Sequence, residues 1–369
     1  MWRDTGTAWL ETAALTRHVI GGTAYSPHRP DPQCHVVLRA GSVEMSIVVV
    51  GGANTDYIAR GPRLPAGDSV EGSEFVEASG GKGLNQAVAA ARLGASAELV
   101  GRVGNDGRGR AILAYLGREG VEARHVGRDA AAITGAAVIH VDRSGHKQSM
   151  AAPGANLRLG ARDVRRAGSA LRGARVLVTQ LEPPLGAIAE AVRMAKAAHV
   201  PVVLDAGPAR PLPAGLLRGL AIVRANALEA EALTGVHVTG YRSARRAAEA
   251  LLARGAGAAA VQAGDEGDLI VWRDGECWLP RLDVPAVDST GAGDAFTAAL
   301  AVRLAEGCSL AVAGPFASAA AALTTTRLGA AVALPRRDEV LALLERVAGV
   351  GAPSESGRPR SMAKRGGTC

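Results

Sequence analysis

The sequence predicts an α/β fold: a mostly parallel central sheet with helices on both faces, plus a small β-sheet lid. Three observations predict it. Short apolar, β-branched runs end at glycines or polar residues, as strands buried on both faces do. Helical patterns lie between several of those runs. The 369 residues, 48% hydrophobic and 21% charged, are enough for one large domain. Aromatic residues make up only 3%, so the core has to be built from Ala, Val, Leu and Ile.

In chain order, residues 1–44 show no sustained periodicity and read as a disordered extension, with Met45 a candidate start. A domain over 45–349 opens with the buried-strand run "SIVVVGG". "DSVEGSEFVEA" reads as an exposed strand. The helical pattern 83–93 stops at Gly94, and the strand-like run 97–100 follows. "GAAVIHVDRSGHKQSMAA" reads as a hairpin turning at 142–145. Together, segments 57–78 and 133–152 form the expected lid, whose open edges favour a homodimer. Further strands are expected at 175–179, 200–204, 221–223 and 258–262, with a helix over 185–198. "AVAGPFASAAAAL" contains Pro315 and two serines and reads as a packed internal helix. Residues 350–369 read as a disordered basic tail.

The net charge of +7 raises nucleic acid as a partner, but the tail holds four basic residues against Glu355, and residues 1–44 balance four with four. Four of the seven charges remain on the body, with no aromatic-studded basic stripe. Nucleic acid is therefore excluded, and a phosphate-handling protein fits. Cys34, Cys277, Cys308 and Cys369 form no C-x-x-C pair, which speaks against zinc or a disulfide framework and for the cytoplasm. No secretory pattern and no run of 18 apolar residues suggests a membrane.

Polar clusters follow the strands, where ligands of parallel sheets bind. In "GGANTDYIA", Asn54 and Asp56 suit the vicinal hydroxyls of a sugar, or form an Asx-turn. In "SGGKGLNQAVAAARLGA", Lys82 and Asn85 stand at a helix start behind Gly80 and Gly81. A lysine there opposes the helix dipole, so ligand contact is the better reading; the spacing is not that of a P-loop. Glu182 in "TQLEPPLGAI" is a ligand acid or a first-turn acid. Asn226 and Glu229, three apart at a helix start, could face Mg²⁺ or form a capping box. In "DSTGAGDAF", Asp294 either caps the next helix or is a base beside an anion cradle.

These motifs, in this order and spacing, resemble the ribokinase (PfkB) family of sugar kinases from about Ser46 to Arg346. The D-x-x-GAGD element is the most diagnostic, and GGKG-x-N resembles the ribose-specific branch. The resemblance implies a ribokinase-like fold and ATP-dependent phosphorylation of the 5-hydroxyl of ribose. Deoxyribose, another furanose or a nucleoside is the alternative acceptor. It implies Asp294 as catalytic base, Gly291, Ala292 and Gly293 as anion hole, and Asn54, Thr55, Asp56, Gly81, Lys82, Gly83, Leu84, Asn85 and Glu182 around the sugar. Gln262, Ala263, Gly264, Asp265, Glu266 and Gly267, with Asn226, Gly293 and Ser318, would hold ATP. Asn226 and Glu229 would meet Mg²⁺ through water. A monovalent cation, usually K⁺, would be held largely by main chain at Asp288, Thr290, Thr324, Arg327, Gly329 and Ala333. Gln262, Ala333 and Ser318 depart from the family's usual Thr, Ser and larger polar residue, which bears on nucleotide preference and K⁺ activation. A silent sensor would show a damaged Asp294, Lys82 or cradle, and all are intact. A dinucleotide-dependent oxidoreductase would need G-x-G-x-x-G after the first strand, and it is absent.

Overall fold

The computed structural model describes residues 45–213 and 215–350. The extensions expected at 1–44 and 350–369 fall outside the described residues, save for Val350, which closes the last helix.

The chain enters the main sheet with β1 (Ser46–Val50), crosses into β2 (Asn54–Arg60), and returns through β3 (Glu74–Gly80) to helix α1 (Lys82–Arg92). Next come β4 (Ser96–Gly104), α2 (Gly107–Arg118), β5 (Val126–Asp129) and the hairpin β6 (Gly135–Val141) and β7 (Lys147–Ala152). A 3-10 turn (Gly154–Arg158), α3 (Ala161–Arg166) and α4 (Gly168–Gly173) lead to β8 (Val176–Thr179) and α5 (Leu185–Ala197). Then follow β9 (Val202–Asp205), β10 (Ile222–Ala225), α6 (Ala227–Thr234), α7 (Tyr241–Ala253), β11 (Ala258–Gln262), β12 (Gly267–Trp272) and β13 (Gly275–Pro280). Helices α8 (Ala292–Ala305), α9 (Leu310–Thr325) and α10 (Arg337–Val350) close the fold.

Nine strands form the main sheet in the order β13-β12-β11-β10-β9-β8-β1-β4-β5. Every pair from β11 to β5 is parallel, and β12 and β13 add an antiparallel edge. The strand pleat sends alternate side chains to opposite layers. Ile47 and Val49 enter the core under α1, α2, α8, α9 and α10, while Val48 and Val50 enter the one under α3 to α7. Both faces of β1 are therefore apolar, and its run reads as continuous.

A second sheet, ordered β3-β2-β6-β7, forms the lid. Ile58, Ala137, Ile139 and Val141 pack on its inner side. Its outer side leaves Phe75, Val138 and Met150 exposed. The hairpin turn is fixed by Asp142, whose Oδ1 accepts from the backbone N–H of Ser144 at 2.8 Å and of His146 at 3.0 Å. Two lid expectations are corrected. Strand structure starts already at Asn54 and then breaks, so "DSVEGSEFVEA" is a strand only from Glu74; the intervening stretch bends at 62–63 and 66–68, where Gly67 takes a φ of 92° and Asp68 Oδ1 accepts from Ala66 N–H at 3.2 Å.

Candidate active site

A cleft of about 920 Å³ lies at the carboxyl ends of the parallel strands, under the lid. One end is lined by Asn54, Asp56, Gly81, Lys82, Asn85 and Glu182. The other is lined by Asn226, Gln262, Gly264, Asp265, Gly267 and Ser318, with the head of α8 between them.

That head starts at Gly291, whose φ of 83° is left-handed, a conformation that favours glycine. Gly291, Ala292 and Gly293 of this turn line the cleft beside Asp294, which is buried; Ala292 N–H reaches the Ser289 carbonyl at 3.4 Å, and the first N–H groups of a helix have no partner within it. Asp294 does not cap its own helix. Its Oδ2 accepts from Asn85 Nδ2 at 2.8 Å, and its Oδ1 accepts from Gln86 Nε2 at 3.1 Å with Lys82 Nζ at 3.5 Å. One turn of α1 thus delivers three donors to one carboxylate, because residues three and four apart share a helix face.

Lys82 also closes a ring with Asp205. Its Nζ donates to Asp205 Oδ2 at 3.0 Å, and Gln86 Nε2 reaches the same oxygen at 2.9 Å. Burial opposes the lysine charge, but Asp205, Asp294 and Glu229 outweigh it and raise its pKa above the ordinary lysine value. The backbone N–H of Lys82 donates to Glu182 Oε2 at 3.0 Å.

The two remaining acids are less well compensated. Burial pushes Asp56 up to about 7, helped by the charges of Glu182 and Asp294. Burial likewise pushes Glu182 up to about 7, against the hydrogen bond from Lys82. Among the described residues, Asp56 Oδ1 and Asn85 Oδ1 are buried without a hydrogen-bond partner. Orphaned acceptors are costly, and in a cleft they mark places for a ligand's donors.

Not every predicted residue faces the cleft. Thr55, Gly83, Leu84, Ala263 and Glu266 do not line it. Leu84 and Ala263 are core residues, and Glu266 accepts from the backbone N–H of Tyr241 at 2.9 Å. The predicted nucleotide loop is the turn of the β11–β12 hairpin. Asn226 and Glu229 form the capping box: Glu229 N–H donates to Asn226 Oδ1 at 2.8 Å, and Asn226 N–H to Glu229 Oε2 at 2.8 Å. Glu229 stays out of the cleft, so only Asn226 could meet a metal's waters. Among the described residues no three His, Cys, Asp or Glu side chains cluster as a metal cage. This donor set fits a Mg²⁺ that arrives on a nucleotide and keeps its waters.

At the expected cation loop, Asp288 is fully buried and accepts three bonds. They come from Thr290 N–H at 2.9 Å, Thr290 Oγ1 at 2.6 Å and Gly329 N–H at 2.9 Å. The other side chains point elsewhere: Thr324 Oγ1 donates to the Ala320 carbonyl at 2.9 Å, Arg327 pairs with Glu339, and Ala333 has no side-chain donor atom. Thr324, Arg327 and Ala333 are left with main-chain carbonyls only.

Four site residues escaped sequence reading. Gln86 and Asp205 belong to the ring above. Asn156, on the 3-10 turn, donates to Asn54 Oδ1 at 2.8 Å and accepts from Ala53 N–H at 2.9 Å. Arg224, at the end of β10, lines the cleft beside Asn226. Asp205 and Arg224 carried a usable signal, since each is a charged residue closing an apolar strand run.

Residues 45–337 match the family model for pfkB family carbohydrate kinases. The chain belongs to the pfkB family of carbohydrate kinases. Within this family it is 34% identical to the ribokinase of Haemophilus influenzae over 301 residues, covering 81% of this chain and 98% of that one. It is 33% identical to the deoxyribokinase of Salmonella typhimurium over 254 residues, 68% of this chain and 83% of the relative. Among solved structures it resembles Arabidopsis thaliana ribokinase complexed with ribose and ATP, at 32% identity and a TM-score of 0.73, covering 82% of this chain and 99% of that one. The ribokinase-like fold of the pfkB kinases is thus the fold of this chain.

Proposed function

We propose that this chain is an ATP-dependent ribokinase that phosphorylates the 5-hydroxyl of D-ribose, giving ribose 5-phosphate and ADP. The observation that carries this reading is the head of α8. There a carboxylate is fixed by Asn85, Gln86 and Lys82 beside a glycine turn, in a cleft with orphaned acceptors at one end.

In this reading Asn54, Asp56, Gly81, Lys82, Asn85 and Glu182 hold the sugar, and the free oxygens of Asp56 and Asn85 accept from its hydroxyls. Asp294 takes the proton of the 5-hydroxyl as its oxygen bonds to the γ-phosphorus and the bond to ADP breaks. A carboxylate held in place beside the acceptor hydroxyl can take up its proton as a general base. The N–H groups of Gly291, Ala292 and Gly293 meet the charge on the transferring group. Gln262, Gly264, Asp265, Gly267 and Ser318 receive the nucleotide. Mg²⁺ would neutralise phosphate charge, with Asn226 reaching it through water. Asp288, Thr290 and Gly329 would bind a monovalent cation. The lid hairpin, whose tip at Gly145 packs near Val287, would keep water from the phosphate.

The outer lid face carries Phe75, Val138 and Met150 and supports a homodimer. ATP as co-substrate suits the cytoplasm, and among the described residues no helix is long and apolar enough to cross a membrane. Deoxyribose is the second reading, favoured by the likeness to a deoxyribokinase. The test is Asp294→Asn: turnover should fall about 10²–10⁴-fold or more while ribose binding holds within a few-fold. Near-normal turnover would mean the base is misassigned.

A further inference from the structure

Arg224 ends β10 among apolar neighbours, with its side chain only 9% exposed. By the strand pleat it shares a face with Ile222, which packs in the core beneath α8. Its Nη1 and Nη2 lie 2.6 and 2.8 Å from where a methyl group on Gly293 would stand, so the guanidinium leans directly onto the glycine turn. A buried cation at the positive end of a helix is unfavourable unless an anion joins it there.

The surrounding acids Asp205, Glu229, Asp268 and Asp294 outweigh burial and sustain the arginine's charge, but none takes its hydrogen-bond donors. Asp205 Oδ1 is 3.7 Å and Glu229 Oε2 3.6 Å from Nη1, beyond hydrogen-bond reach. Asp205 already serves Lys82 and Gln86, and Glu229 serves the helix cap. Among the described residues the guanidinium makes ion pairs at those distances and no hydrogen bond. Five donors in a planar fork are therefore held, ready and unspent, beside the N–H groups of the α8 turn.

We infer that Arg224 is a further catalytic residue, whose guanidinium binds the terminal phosphate oxygens of the nucleotide and follows the phosphoryl group during transfer. This rests on the kinase reading above. Arg224 takes no covalent part: the acceptor oxygen bonds to phosphorus, the phosphorus–oxygen bond to ADP breaks, and the proton goes to Asp294. A planar fork matches two phosphate oxygens, which a lysine cannot do. Asp205 and Glu229 act as loose counter-ions that keep the arginine in place.

The test uses wild type, Arg224→Lys and Arg224→Ala in the full chain. Steady-state kinetics is paired with calorimetric titration of ADP and of a non-hydrolysable ATP analogue. Arg224→Lys keeps the charge and guards against simple misfolding. Both variants should lose about 10²-fold or more in kcat with the sugar KM within a few-fold. Affinity for the triphosphate analogue should fall about tenfold or more, and ADP affinity should hold. Millimolar guanidinium should restore about tenfold of the activity of Arg224→Ala, and methylammonium should not. Wild-type kcat in Arg224→Lys, or equal losses for ADP and the analogue without rescue, would overturn the inference and leave a structural counter-ion. Wild type silent on every sugar, yet with Arg224-dependent triphosphate binding, would sink the kinase reading and keep the phosphate contact.

Discussion

Replacing Asp56 by Asn separates what the fold needs from what the site needs. Burial lifts the Asp56 carboxyl from the ordinary range near 4 to about 7. A folded value above the unfolded one gives a stabilisation that is complete below about pH 4 and lost as pH rises through about 7. At pH 8 the charge on Asp56 therefore burdens the native state by roughly 4 kcal/mol, at about 1.4 kcal/mol per pH unit of displacement. Removing the ionisable group removes that burden, and roughly 2–4 kcal/mol is the expected gain for the variant. Asn cannot ionise and keeps its stability across the range. Urea unfolding without sugar, at pH 4 and pH 8, should show Asp56→Asn more stable than wild type at pH 8 and nearly equal to it at pH 4. Ribose binding should weaken about 10–100-fold, since a hydrogen bond to a charged acceptor contributes about 1.5–3 kcal/mol. In wild type, the sugar KM should rise as pH falls below about 7, where Asp56 and Glu182 become protonated. A variant no more stable than wild type at pH 8 would refute the reasoning.

Gly83→Ala places a methyl group 2.5 Å from the Gly51 carbonyl carbon and 2.6 Å from its Cα, so α1 must shift from β1. It should cost roughly 1–3 kcal/mol in thermal unfolding and most of the turnover, because α1 carries all three donors to Asp294. For the lid, light scattering at micromolar concentration should give twice the 37.5 kDa chain mass, and Met150→Glu, at a side chain 79% exposed, should halve it. A monomeric wild type removes the dimer.

Much of the site was legible because its residues cluster at strand ends and helix starts, where local pattern and position coincide. Asp294 could be placed beside a glycine turn, and Lys82 and Asn85 on one helix face. What local pattern could not choose was partner. Asn226 and Glu229 have a spacing that serves a cap and a metal equally, and in the structure the cap has them. Asp205 and Arg224 were passed over as the ends of apolar runs. Their meaning comes from the parallel register of β9 and β10, which sets them side by side under α8. In the fold, β1, β4, β8 and β11 were visible as apolar runs. β5, β12 and β13 were not: β5 reads VGRD and has a single apolar side chain, and β13 is half-buried along most of its length. The lid strand β2 hid behind its own polar residues, since Asn54 and Asp56 read as a loop.

The account turns on ribose being the acceptor. The most direct measurement is ADP release with ATP·Mg²⁺ and ribose, 2-deoxyribose, fructose or adenosine, each with and without K⁺. The prediction is that ribose has the highest kcat/KM and that K⁺ raises it. A clear preference for adenosine or deoxyribose would contradict the assignment of the sugar end of the cleft, and no ADP release with any of the four would contradict the reading as a ribokinase.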